Sequence, residues 1–173
     1  MLMLPGFGGS ADQPILRVLE AALDARGLSS VRASLTPGRA SPGLESEVAQ
    51  ARAIVRSDPE IGAYAGRSFG GRVLARLAME VPPRALVLLG FPVRSQTGKR
   101  RLEDERILAA LRCPTLVVQG ARDPLGPLRT LERLAASNAR LELAVIEGAT
   151  HAFGRRERQA VEMAADWLGR RLR

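Results

Sequence analysis

Lysine, cysteine and histidine are almost missing from these 173 residues: each occurs once, as Lys99, Cys113 and His151. A single cysteine excludes an internal disulfide and gives no reason to expect an oxidising compartment. One cysteine and one histidine also exclude a structural zinc site built on the usual four nitrogen and sulfur ligands. Aromatic residues amount to 3%, too few to stack successive bases of a single strand. No run approaches the roughly 18 apolar residues of a membrane span. Met1-Leu2-Met3-Leu4-Pro5-Gly6 lacks the basic start and the apolar length of a secretory signal. The expectation is a soluble cytoplasmic protein with no metal, no cofactor and no membrane partner.

What is abundant is arginine. The 26 basic residues outnumber 18 acidic ones, giving a net charge of +8, and all but Lys99 are arginine. Such a charge is the first mark of a nucleic-acid-binding surface. These arginines, however, are scattered along the chain, and only Lys99-Arg100-Arg101, Arg155-Arg156 and Arg170-Arg171-Leu172-Arg173 cluster. A distributed field is expected, and no nucleic-acid partner.

The length fits one domain, residues 1–173. Short apolar runs alternate with helical stripes throughout. Strands are expected at Met1–Leu4, Val31–Leu35, Ile61–Ala65, Ala85–Leu89, Pro114–Gln119 and Leu141–Ile146. Between them, Ile15, Val18, Leu19, Ala22 and Leu23 form one stripe, and Leu44, Val48, Ala51 and Val55 a second. Val73, Leu74, Leu77 and Val81 make a third, and further helices fall around Asp104–Leu111, Leu128–Ala135 and Val161–Leu172. Thr36 to Gly43 holds two prolines and two glycines and reads as a loop. This alternation predicts an α/β fold: a doubly wound, mainly parallel six-stranded sheet of order 2-1-3-4-5-6 with helices on both faces.

Gly66-Arg67-Ser68-Phe69-Gly70 matches G-x-S-x-G, and it sits between an expected strand and an expected helix, the setting a nucleophile elbow needs. Small residues two positions either side of the serine let strand and helix approach closely. A serine nucleophile needs a base, and His151 follows the last strand, at the carboxyl edge where ligands bind in such sheets. Asp123, in Gly120-Ala121-Arg122-Asp123-Pro124, follows the fifth strand and supplies a carboxylate to orient the imidazole. Chain order Ser68, Asp123, His151 is that of a triad on this kind of sheet. Arg67 and Arg72 flank the nucleophile and are expected to pair with nearby carboxylates rather than with substrate. Cys113 and Trp167 are read as packing residues.

These motifs, with Leu89-Gly90-Phe91-Pro92 and Pro114–Gly126, resemble the α/β-hydrolase superfamily. Arg-Ser-x-Gly-Gly-Arg and Gly-x-Arg-Asp-Pro are similar to a small lidless branch that includes testis-expressed protein thirty and the third subunit of the nonspecific-lethal acetyltransferase complex. The resemblance implies Ser68 as nucleophile, Asp123 as acid and His151 as base, on a sheet lacking the superfamily's usual first two strands. It also implies an oxyanion hole made by the backbone N–H groups of Phe69 and Phe7. The branch has His-Gly where this chain has Pro5-Gly6, a change in loop shape that leaves the triad intact.

The function expected is a serine hydrolase cleaving a small-molecule ester or thioester through an acyl-enzyme. The alternative is a non-catalytic scaffold on the same fold. Only Gly90 to about Glu103 stands where a lid is commonly inserted, and it is polar. An open site with Phe7, Phe69 and Phe91 around a short acyl chain is therefore expected.

Overall fold

The computed structural model describes the whole chain except Pro37 and Arg39, so those two positions of the expected loop lie outside the described residues. Among the described residues six short strands, all parallel, form one sheet in the order β2-β1-β3-β4-β5-β6. They are β1 (Leu2–Leu4), β2 (Val31–Arg32), β3 (Ala63–Arg67), β4 (Ala85–Leu89), β5 (Thr115–Gly120) and β6 (Leu141–Ile146). The helices are α1 (Pro14–Asp24), α2 (Glu45–Ser57), α3 (Phe69–Glu80), α4 (Leu102–Ala110), α5 (Leu128–Ser137) and α6 (Glu157–Leu172). Order and direction are those expected from the sequence.

Strand periodicity explains the two layers of helices. On β4, Leu86 and Leu88 enter one core while Ala85, Val87 and Leu89 enter the other. Both faces are therefore apolar, and both must be covered. Residues such as Val48, Leu74, Leu77, Leu108 and Leu134 from α2 to α5 cover the first face. Ile15, Leu16, Leu19, Val161 and Leu168 from α1 and α6 cover the second, with Trp167 buried among them. Cys113 is buried as well, which pushes its thiol above the ordinary range. No helix among the described residues is long and apolar enough to cross a membrane.

Element boundaries moved where neighbouring strands outvote local sequence. The third strand was expected at Ile61–Ala65 but runs over Ala63–Arg67, because β1 and β4 grip it from both sides. Leu4 pairs with Gly66, and Leu89 with Arg67, so two motif residues that read as turn are extended. The second strand shrinks from Val31–Leu35 to two residues, since it is an edge strand with only the short β1 to pair with. Val18 stands on the exposed flank of α1 rather than in its buried stripe. Val81 caps α3 instead of lying on its face.

Because β1 lies between β2 and β3, winding reverses there and the turns after β1 and β3 emerge side by side. The Gly70 N–H donates to the Pro5 carbonyl at 2.9 Å, joining them directly.

Behind α3 lies a buried charge cluster that spacing alone did not reveal. Asp104, 1% exposed, accepts from Arg72 Nε at 2.9 Å and Arg76 Nη1 at 2.5 Å. Without the carboxylate two largely buried guanidinium groups would face each other. Asp104→Ala is expected to lower stability by about 3–5 kcal/mol, read as a lower urea midpoint at unchanged slope. A loss under about 1 kcal/mol would mean that water screens the cluster as at an exposed pair.

Candidate active site

Ser68 occupies the single residue between β3 and α3, at φ 47 and ψ −105. A positive φ is unfavourable for any residue with a Cβ, costing about 1–3 kcal/mol. Its neighbours hold it there. The Ser68 N–H donates to the Leu89 carbonyl at 2.9 Å. A Cβ on Gly66 would come within 2.4 Å of the Gly71 nitrogen, and one on Gly70 within 2.5 Å of the Leu4 and Pro5 carbonyl oxygens. Only glycines let the strand, the turn and the helix pack this closely, so the G-x-S-x-G spacing is a steric requirement of the fold.

The turn lifts the Ser68 hydroxyl to the carboxyl edge of the sheet, where it lies 2.9 Å from His151 Nε2. The other ring nitrogen, Nδ1, donates to Asp123 Oδ2 at 2.7 Å. Asp123 is buried, and two further donors fix its carboxylate: the Leu125 N–H at 2.8 Å on Oδ1 and Gln119 Nε2 at 2.5 Å on Oδ2. With a carboxylate oxygen accepting at Nδ1, the ring proton lies there and Nε2 is the accepting nitrogen, facing the Ser68 hydroxyl at 2.9 Å and Arg67 Nη1 at 3.4 Å. The structure thus brings Ser68, His151 and Asp123 into one hydrogen-bonded chain.

Two further residues, Gln119 and Arg67, support the triad. Gln119, the last-but-one residue of β5, donates to Asp123 while its Oε1 accepts the Phe91 N–H at 2.9 Å. A polar side chain ending an apolar strand was the available signal. Arg67 has no carboxylate partner among the described residues, contrary to the expected ion pair. It is buried, and its Nη2 donates to the His151 carbonyl at 2.6 Å and its Nη1 to the Leu89 carbonyl at 3.2 Å. Its guanidinium also sits 5.6 Å from the centre of the Phe153 ring. Burial lowers its pKa from the usual arginine value. Arg67 therefore ties the histidine loop to the nucleophile strand. Arg72 does pair with a carboxylate, Asp104, as expected.

Phe7 and Phe69 face each other across the two turns, ring centres 5.5 Å apart and edge to face. Phe69 begins α3, so its N–H has no acceptor within the helix. Neither this N–H nor that of Phe7 takes part in a turn, loop or cap hydrogen bond to backbone among the described residues. The third expected aromatic is not at the site: Phe91 is fully buried in the core beneath it. Its backbone is held inward by Gln119, which carries the ring away from the surface.

A cleft of about 490 Å³ opens beside Ser68, bounded by Phe7, Phe69, Leu44 and Leu125 and by the segment after β4. Among the described residues no cluster of three or more histidine, cysteine or acidic side chains is placed to hold a metal ion.

Comparison with known proteins bears on the family and the fold. Two uncharacterised proteins from strains of Mycobacterium tuberculosis are 33% identical, over 76% of this chain and 56% of theirs. The chain thus spans little more than half the length of these relatives. Among solved structures, Est1E from Butyrivibrio proteoclasticus superposes with a TM-score of 0.81 at 18% identity, covering 99% of this chain and 87% of that one. A serine hydrolase homologue from Coxiella burnetii gives 0.74 at 24% identity, with 99% and 84% covered. At such identities the likeness is one of fold. The sequence itself matches the alpha/beta hydrolase domain family over residues 1–169, and the chain belongs to that family.

Proposed function

We propose that this chain is a serine hydrolase that cleaves small esters or thioesters. The observation that carries the reading is the chain from Ser68 Oγ through His151 to Asp123, at 2.9 and 2.7 Å. Ser68 attacks the substrate carbonyl while His151 Nε2 takes its proton. The carbonyl oxygen becomes an oxyanion, stabilised by the N–H of Phe69 at the start of α3 and that of Phe7 in the facing turn. Collapse breaks the bond to the leaving oxygen or sulfur, which receives the proton from His151. Water then attacks acyl-Ser68 with His151 again as base, releasing the acid and restoring the serine. Asp123 holds the ring in the required tautomer and stabilises its cation. No cofactor is needed, and the substrate is a small molecule rather than a nucleic acid or membrane.

A serine held at φ 47 beside an imidazole supports the enzyme over a non-catalytic scaffold on the same fold. The same motifs support placing the chain in the lidless branch that its sequence resembles. After β4 the chain makes only a tight ladder, Arg94 opposite Arg100, before α4 begins. Phe7 is 70% exposed, so apolar wall ends close to the nucleophile. Each added methylene contributes at most ~0.8 kcal/mol, and only while wall remains to cover it. Rates on 4-nitrophenyl esters are therefore expected to peak at short acyl chains and fall for long ones. A series that rises out to long chains would contradict this shape of site.

A further inference from the structure

The cleft beside Ser68 is lined by three arginines, Arg72, Arg94 and Arg101, and by no acidic residue among those described. The three differ in one respect. Arg72 has a carboxylate partner, Asp104, which it shares with Arg76. Arg94 and Arg101 make no salt bridge and no side-chain hydrogen bond among the described residues, and the Nε atom of each is buried with no partner. Both side chains are partly buried rather than free in water. Arg100, one residue from Arg101, by contrast meets Glu105 at 2.7 Å. A buried guanidinium donor without an acceptor is costly, and two cations lining one cleft repel each other.

The backbone holds this pair in place. The Arg101 N–H donates to the Val93 carbonyl and the Ser95 N–H to the Lys99 carbonyl, both at 2.8 Å. The Arg94 N–H donates to the Leu125 carbonyl at 2.8 Å, which pins the ladder to the loop that carries Asp123. The backbone of both arginines is thus fixed on a short hairpin, and both residues line the largely apolar cleft that has the nucleophile in its wall.

We propose that Arg94 and Arg101 bind a carboxylate carried by the substrate, so that the preferred esters or thioesters are anionic. This rests on the hydrolase reading given above and names the substrate class of that site. A carboxylate offers about four lone-pair sites on two oxygens, enough to accept from both forks. The apolar part of the cleft takes the short chain between the carboxylate and the scissile carbonyl.

The test uses matched pairs differing only in charge: 4-nitrophenyl hemiadipate against its methyl ester, and 4-acetoxybenzoate against its methyl ester. The first places the anion on the acyl part, the second on the leaving group. In at least one pair kcat/KM is expected to be about ten- to hundredfold higher for the anion. The ratio should fall close to one in the R94Q/R101Q double variant and persist in R56Q, which removes an exposed charge on α2. A second readout is independent of turnover: calorimetric titration of monomethyl adipate into S68A protein. Binding should be saturable, lost in the added R94Q/R101Q background, and absent for dimethyl adipate. Arginine-dependent binding without any hydrolysis would sustain the carboxylate site and defeat the hydrolase reading. Hydrolysis without charge preference, with no titratable binding, would overturn the carboxylate site and leave the hydrolase reading standing.

Discussion

Ser68→Ala is expected to lower turnover of a short activated ester by on the order of 10⁴ to 10⁶ while the protein stays folded. The hydroxyl is the only atom the substitution removes, and the proposed mechanism gives it the bond-forming step. His151→Ala should cost a similar factor, because an unactivated serine hydroxyl is a weak nucleophile. The double variant should be little worse than either, since residues that act as one unit do not contribute additively. Both effects belong in kcat, with the thermal midpoint checked for each protein. Independent, multiplying losses would show that the 2.9 Å contact between Ser68 and His151 is not a working pair.

Gly70→Ala should be among the most damaging single methyl groups in the chain. The added carbon would lie 2.5 Å from both the Leu4 and Pro5 carbonyl oxygens. Those are backbone atoms at the end of a central strand, and no side-chain rotation relieves the contact. Relief requires α3 to move away from β1, which breaks the hydrogen bond from the Gly70 N–H to Pro5. A stability loss of about 3 kcal/mol or more follows, at the upper end of overpacking costs. In protein that still folds, the oxyanion hole proposed for the Phe7 and Phe69 N–H groups would be pulled apart, and kcat should drop by about 10²–10³, the usual effect of losing one oxyanion donor. Gly62→Ala is the control, because a Cβ there meets only the Arg84 side chain at 3.5 Å. Equal effects of the two substitutions on denaturant midpoint and rate would remove close approach as the reason for the motif.

Much of this site could be read from the residues because its logic is local. The glycines around Ser68 mark a strand-turn-helix junction, and Asp123 and His151 each follow an apolar strand, so a parallel sheet sends all three to one edge. The strand order followed from the same alternation. What stayed hidden depends on contacts between distant segments. Arg67 lies 84 residues from His151, and nothing in its spacing separates a guanidinium that holds two carbonyls from one that meets a carboxylate. Asp104 looked like an ordinary helix residue until α4 packed on α3. Phe91 was placed at the site by its nearness to the edge, whereas its backbone contact with Gln119 turns it into the core. The two-residue shift of β3 has the same origin: pairing with strands on both sides overrides the turn preference of Gly66.

The central claim is that Ser68 is an activated nucleophile, and one measurement meets it most directly. Purified protein is treated with a fluorophosphonate probe and the modified peptide is identified by mass spectrometry. A single adduct on Ser68, formed in stoichiometric amount, abolished in S68A and strongly slowed in H151A, is the predicted result. No adduct on folded protein, or labelling that persists undiminished in S68A, would contradict it.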